Sequence, residues 1–184
     1  FRSDSNSNLI IEGGEIYVNG PTNDGNGALD YDGTATISGG TFVAVGSSGM
    51  VQGFSDSSTQ CSILYNLSSS HSTDEKIKLA DSSGNEIISY TSTKQFSSVV
   101  ISSAKITKSG TYKLTVGSES YDIEMSSTVY SNGSNGFGGG GMGGNKPESF
   151  GRGNNGKPPK MPNGENSGMT PPDKPSRETS TTNT

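Results

Sequence analysis

The 184 residues allow one domain, or one domain with a tail. Only 27% of them are hydrophobic and the formal net charge is −5, with seven acids and one arginine in residues 1–60. Because nucleic-acid phosphates are bound by clustered Lys and Arg, this acidic first third argues against a nucleic-acid partner. The sequence has no apolar run of the length that spans a membrane. It begins at Phe1 without a signal peptide, and we expect it to be a fragment or a mature C-terminal piece.

A duplication opens the chain. The segment LIIEGGEIYVNG (9–20) returns 26 residues later as ATISGGTFVAVG (35–46). A period in this range is typical of solenoids, in which each repeat stacks on its neighbour. Strand side chains alternate between two faces, so the apolar positions of the two segments should stack in register. The predicted inward pairs are Leu9 with Ala35, Ile11 with Ile37, Ile16 with Phe42, and Val18 with Ala44.

A Gly-Gly pair interrupts the alternation in each segment, at Gly13-Gly14 and at Gly39-Gly40. Glycine tolerates positive φ, so the pair predicts a sharp corner between two short strands. Strand, glycine corner, strand and long loop is the layout of one coil of a parallel β-helix. The sequence shows no helical period of 3.6 residues, and we predict an all-β protein.

The stretch GNGALDYDGT (25–34) starts the second coil. Alternation places Leu29 inside the stack and turns Asp30 and Asp32 outward on one strand face. The same rule leaves the orientation of Tyr31 open.

After Met50 the repeat fades, and the segments from Lys76 to Met125 are typical of antiparallel strands. The DSSGN stretch at 81–85 predicts a hairpin turn. A solenoid needs its last apolar layer covered, and we expect this antiparallel region to be the cap. Residues 130–184 contain seven of the eight prolines and no Val, Ile or Leu, so we predict a disordered tail. The predicted units are 1–70 (coils), 71–129 (cap) and 130–184 (tail).

The series GPT, GNGALDYDG, ISGG, GSSGM and STQ resembles the C-terminal coils of a bacterial carbohydrate-binding domain family. Its members are cell-surface proteins with a right-handed parallel β-helix, similar in fold to pectate lyases. The similarity covers roughly residues 9–125, and the Gly-, Met- and Pro-containing tail also resembles theirs. It implies binding of cellulose or polygalacturonate, a calcium cofactor, and an extracellular or cell-surface location.

Two interpretations remain open for the oxygen-rich residues Asp24, Asn26, Asp30 and Asp32. Calcium takes six to eight oxygen ligands, and these side chains offer several in a short span. The alternative is an Asn/Asp/Gly turn whose side chains bond their own backbone. The spacing does not fit an EF-hand, so a calcium site would need ligands from adjacent coils.

For sugar binding, the candidates are two aromatic residues that lie among the acidic residues of the first third (the acidic strip), Tyr17 and Tyr31. Tyr17 faces outward by alternation, but a half-buried structural tyrosine is an equally good interpretation of each. Cations bridging the acidic strip would let it accept an anionic pectin, which links calcium with polygalacturonate.

Catalysis has little support in the sequence. A lyase-like mechanism needs a basic residue near the cation, and Arg2 is the only Arg or Lys before residue 76. His71, in SSSHSTDE, is predicted to be a solvated loop residue. We therefore predict a non-catalytic carbohydrate-binding protein; the alternatives are an adhesin-like structural β-solenoid and a fragment of a pectate-lyase-like enzyme.

Overall fold

A computed structural model describes residues 7–133 and the backbone of residues 2–3. This part of the chain is all-β: it forms thirteen strands and no helix, so it has no helix that could span a membrane. The strands are β1 (Arg2–Ser3), β2 (Leu9–Ile11), β3 (Glu15–Asn19), β4 (Asp30–Tyr31), β5 (Ala35–Ile37), β6 (Thr41–Gly46), β7 (Ser62–His71), β8 (Lys76–Asp81), β9 (Glu86–Thr91), β10 (Phe96–Ser103), β11 (Thr111–Val116), β12 (Glu119–Glu124) and β13 (Val129–Ser131).

The register predicted from the duplication is confirmed. β2 pairs in parallel with β5 and β3 with β6, each at the offset of the repeat. The Cα partners include Leu9 with Ala35, Ile11 with Ile37, Ile16 with Phe42, and Val18 with Ala44. The two repeats therefore form two stacked layers, which we call the first layer (9–20) and the second layer (35–46).

The glycine corners are also confirmed. Gly14 and Gly40 have φ values of 88° and 87°, in the left-handed region that disfavours other residues. The corners stack directly, because Thr41 N donates to Gly14 O at 2.8 Å. The chain thus turns between its two short strands at the same height in both layers.

A third segment, residues 51–60, follows the second layer without forming a strand. Its backbone nevertheless forms hydrogen bonds along the side of β5 that β2 does not occupy. Ser55 N donates to Ala35 O at 2.7 Å, and Gln52 N donates at 3.0 Å to Leu29 O, in the segment that precedes the second layer. Its side chains Val51 and Phe54 are buried against the interior of the layers.

The central sheet has five strands in the order β13-β7-β10-β6-β3 and is mixed. Its outer pairs, β13 with β7 and β3 with β6, are parallel, whereas β10 is antiparallel to both of its neighbours. The pairing is therefore not that of a pure parallel solenoid. The sequence placed Phe96–Ser103 in the antiparallel cap, but this strand lies in the middle of the sheet that continues the layers.

The second large sheet has four antiparallel strands in the order β12-β11-β8-β9. The predicted hairpin turn joins β8 to β9: Gly84 N donates to Asp81 O at 3.0 Å, and Gly84 has φ 85°. We expected this region to cover the end of a solenoid. Instead it packs face to face on the central sheet, because the outward face of that sheet is itself apolar.

Two hydrophobic cores result, one on each face of the central sheet. The layer core lies between the central sheet and the β2–β5 side of the layers, and the intersheet core lies between the two large sheets. The layer core includes Leu29, Tyr31, Ile37, Phe42, Ala44, Phe54, Leu64 and Val100. The intersheet core includes Val43, Val45, Ile63, Ile77, Leu79, Val99, Ile101, Leu114 and Ile123. Leu29 is fully buried, as alternation predicted.

The predicted tail, 130–184, lies outside the described residues except for its first four. Tyr130 and Ser131 belong to β13, which pairs with β7. The strand β7 itself crosses residue 70, where the sequence suggested a division between coils and cap.

Replacing Phe42 with alanine tests the layer core. Phe42 is fully buried and packs edge-to-face on Phe54, with ring centroids 5.0 Å apart. Removing a buried phenyl ring typically costs about 3–5 kcal/mol of unfolding free energy, and urea denaturation would measure this. Ile10→Ala, at a position 64% exposed, is the control and should change stability by less than about 0.5 kcal/mol. A small loss for Phe42→Ala, equal to the control, would contradict the assigned core.

Candidate functional site

Two tyrosines from different sheets stack at one open edge of the structure. Tyr17 lies on β3, the edge strand of the central sheet, and Tyr90 lies on β9, the edge strand of the four-stranded sheet. Their ring centroids are 5.4 Å apart and the ring planes differ by 14°. Tyr17 is 47% exposed, so one face of its ring is against Tyr90 while much of the ring meets solvent. We call this pair the tyrosine platform.

The platform is held in place by Asn19 on the same strand. Its side-chain Oδ1 accepts a hydrogen bond from Thr93 N at 3.2 Å and lies 3.1 Å from Ser92 Oγ. Ser92 and Thr93 directly follow β9, so these bonds join the two edge strands. Glu15, Tyr17 and Asn19 share one face of β3 because strand side chains repeat every two residues. An exposed carboxylate and a fixed amide therefore flank the aromatic ring.

Tyr31, the second tyrosine predicted to contact sugar, is buried in the layer core at 7% exposure. Its hydroxyl donates to Gly53 O at 2.6 Å, and burial raises the pKa of the phenol above its ordinary value. The ring offers no free face for a sugar. The segment around Gly53 forms no strand, and this is the contact that encloses Tyr31.

The oxygen-rich residues predicted to bind calcium are spread along a loop and a short strand. Asp24 Oδ1 accepts from Ser47 Oγ at 2.6 Å, and Ser47 Oγ in turn accepts from Gly49 N at 3.1 Å. Asp24 therefore bonds a side chain 23 positions away and not its own backbone, so this contact is not the local bonding of the turn interpretation. Asp30 is half-buried in β4, whereas Asn26 and Asp32 are exposed.

Within residues 7–133, no three His, Cys, Asp or Glu side chains are gathered closely enough to hold a metal ion. The calcium site at Asp24, Asn26, Asp30 and Asp32 stays a prediction.

His71 lies in a polar cluster that the sequence did not reveal. The prediction of a solvated loop residue was wrong: His71 ends β7, is 6% exposed, and stacks on Phe96 at 5.6 Å. Its Nδ1 lies 2.6 Å from Glu75 Oε2, and its Nε2 lies 3.6 Å from Glu119 Oε2. Glu119 Oε2 also accepts a hydrogen bond from the Tyr121 hydroxyl.

The electrostatics of this cluster follow from its two carboxylates. The hydrogen bond with His71 holds the pKa of Glu75 below its ordinary value, helped by Ser72 N, which donates to Glu75 Oε1 at 3.2 Å. Burial and the bond to Glu119 raise the pKa of Tyr121 to about 12. The Nε2 atom of His71 is buried and has no hydrogen-bond partner among the described residues. No described hydroxyl or thiol is therefore paired with this ring as a nucleophile would be.

Three more tyrosines close the opposite edge of the structure. Tyr65 lies 4.7 Å from Tyr121 and 6.5 Å from Tyr130, measured between ring centroids. All three rings are half-buried against the intersheet core. They resemble the platform in composition, but each is less exposed than Tyr17. Their packing indicates a structural role, in which the three rings cover one edge of the intersheet core.

The alternation of strand side chains predicted that Tyr17 faces outward, because this prediction requires only the position of the residue in its own strand. Tyr90 was missed because its partner lies 73 positions away, on another sheet. No local signal marks such a pair. His71 was missed because its neighbours in sequence are serines and threonine, while its burial comes from Phe96 on β10.

Comparisons of the chain with protein-family models, with curated proteins and with solved structures find no match.

The lowered pKa of Glu75 predicts that its contribution to the stability of the fold depends on pH. Because its folded pKa lies below the ordinary 4.5, its contribution to stability is present above that value and is lost as pH falls through the lowered folded pKa. The melting temperature of Glu75→Gln should therefore fall short of the wild type between pH 5 and 7, and the gap should close in more acid solution.

Thermal unfolding followed by circular dichroism from pH 3 to 7 measures this gap. Glu124→Gln, at an exposed carboxylate on β12, is the matched control and should show little gap at any pH. A Glu75→Gln gap that widens on acidification would refute the assignment.

Proposed function

We propose that the protein is a non-catalytic carbohydrate-binding protein of the bacterial cell surface, and that it binds a plant cell-wall polysaccharide through the tyrosine platform. The observation that carries the proposal is the exposure of Tyr17 while its ring is held in a fixed orientation by Tyr90. A sugar ring has an apolar face of C–H groups, which packs well on an aromatic ring. A platform that is already ordered loses little side-chain entropy on binding.

The neighbours of the platform favour a polysaccharide without charge. Glu15 is exposed on the same face of β3 as Tyr17, and residues 1–60 have a net charge of −6. An anionic polymer such as polygalacturonate would be repelled unless cations intervened. We therefore propose a neutral glucan of the cellulose type as the ligand, with calcium-dependent polygalacturonate binding as the competing outcome.

We also propose that the two layers are part of a right-handed parallel β-helix. Support comes from their parallel pairing at the 26-residue offset and from the stacked corners at Gly14 and Gly40. The segment 51–60 adds backbone hydrogen bonds on the far side of the second layer, as a further coil would.

Depletion of the protein by insoluble cellulose tests the function. We expect wild-type protein to be retained, and Tyr17→Ala to bind about tenfold more weakly, which corresponds to about 1.4 kcal/mol. Tyr17→Phe keeps the ring and should retain most of the binding, so it separates stacking from hydrogen bonding by the hydroxyl.

The same measurement with polygalacturonate, with calcium and with EDTA, decides between the ligands. Retention on polygalacturonate only, lost with EDTA, would favour the calcium-dependent alternative. No retention on either polymer would refute sugar binding and favour a structural β-layer protein.

A further inference from the structure

The first layer has an open side. Among the described strands, β1, β2 and β3 each have one hydrogen-bonded neighbour: β4 for β1, and the second-layer strands β5 and β6 for β2 and β3. Their outer edges therefore lie together at one end of the stack. Backbone N–H and C=O groups on such an edge are available to another strand.

The apolar side chains of the first layer are less covered than those of the second. Leu9, Ile16 and Val18 point into the layer core but are only half-buried. Their register partners are fully buried, at 0% exposure: these are Ala35, Phe42 and Ala44. The difference arises because the first layer covers the second, and no described residue covers the first in the same way.

The glycine corners show what such a cover would need. A Cβ atom on Gly39 would collide with the carbonyl oxygen of Glu12, and one on Gly40 would lie 2.5 Å from Gly14 O. The second corner therefore requires glycine at both positions, because the backbone of the first corner lies directly against it.

Gly13 meets no such constraint. A Cβ atom built on it has no atom within 4 Å. Its φ is not positive, unlike that of Gly14, so a left-handed φ is not the reason for glycine at this position. Its equivalent Gly39 is glycine because of the layer stacked upon it. Another backbone stacked on the first layer, as the first layer is stacked on the second, would require glycine at position 13 for the same reason.

We propose that the open side of β2 and β3 is a docking surface for one more layer of the same repeat, a strand–Gly-Gly–strand segment running parallel to the first layer. The segment would continue the β2–β5 and β3–β6 pairing by one step, cover Leu9, Ile16 and Val18, and bring its backbone against Gly13.

A second copy of the chain fits this surface less well. The far side of the layers is occupied, since β6 pairs with β10 and β5 accepts hydrogen bonds from Ser55 and Gln60. Head-to-tail stacking of copies therefore has no free matching end. A two-fold dimer would bring two open sides together with their strands antiparallel. That arrangement would not repeat the parallel corner-on-corner contact.

The experiment inserts a second copy of residues 9–34 directly before Leu9 of the full chain. The added segment contains its own Gly-Gly corner and should become the new outermost layer. Gly13→Ala is then compared in three settings by urea denaturation: in the natural chain, at the original Gly13 of the lengthened chain, and at the Gly13 copy within the inserted segment.

In the natural chain we expect Gly13→Ala to leave the unfolding midpoint unchanged or to raise it, whereas Gly39→Ala lowers it. In the lengthened chain, the substitution should lower the midpoint at the original Gly13 and be harmless in the inserted copy. The inserted segment should also resist proteolysis.

Three results would overturn the proposal. Equal harm from Gly13→Ala and Gly39→Ala in the natural chain would show that conformation already requires glycine there. Harmless substitution at the original Gly13 of the lengthened chain, or rapid proteolysis of the inserted segment, would show that no layer docks. A natural-chain dimer in light scattering that Gly13→Ala dissociates would make a second copy the occupant. None of these readouts depends on sugar binding.

Discussion

The structure depends on a central sheet that is apolar on both faces. In β6, Phe42 and Ala44 pack into the layer core, while Val43 and Val45 pack into the intersheet core. The next strand in the sheet, β10, does the same with Val100 on one side and its neighbours on the other. Such strands lack the apolar–polar alternation of a sheet with one wet face. Because both faces must be covered, the repeat layers and the four-stranded sheet are held together by one shared element.

The packing of the two large sheets explains why the exposed and half-buried tyrosines lie at the sheet edges. Two sheets packed face to face leave openings at their edges, and a tyrosine closes an opening with its ring while its hydroxyl stays near water. At one edge Tyr65 and Tyr121 serve this purpose and remain half-buried. At the other edge Tyr17 stacks on Tyr90 and stays more exposed. The proposed sugar platform is therefore a by-product of sandwich closure, fixed in position by core packing.

The duplication predicted more of the fold than any other feature of the sequence. It set the pairing of β2 with β5 and of β3 with β6, because matching apolar positions and matching glycines fix one register. It could not place β10, whose register partners lie 25 (Phe96 with His71) to 62 (Ser103 with Thr41) residues away in sequence and whose apolar run suits any buried strand. Of the predicted sugar-binding pair, Tyr17 is exposed, but Tyr31 is enclosed by a segment without regular structure. Burial of this kind depends on contacts between distant parts of the chain, which alternation cannot report.

Amide hydrogen exchange tests the shared central sheet most directly. If β6 and β10 hold both cores together, their amides should exchange slowest in the molecule, and strands on both sides of them should lose protection together when the protein unfolds in denaturant. The side chain of Val43 packs in the intersheet core and that of Val100 packs in the layer core. The backbone amides of these two residues should therefore report the same unfolding free energy. Exchange in two separate groups, with the four-stranded sheet opening while the layers stay protected, would contradict a fold organised around one doubly buried sheet.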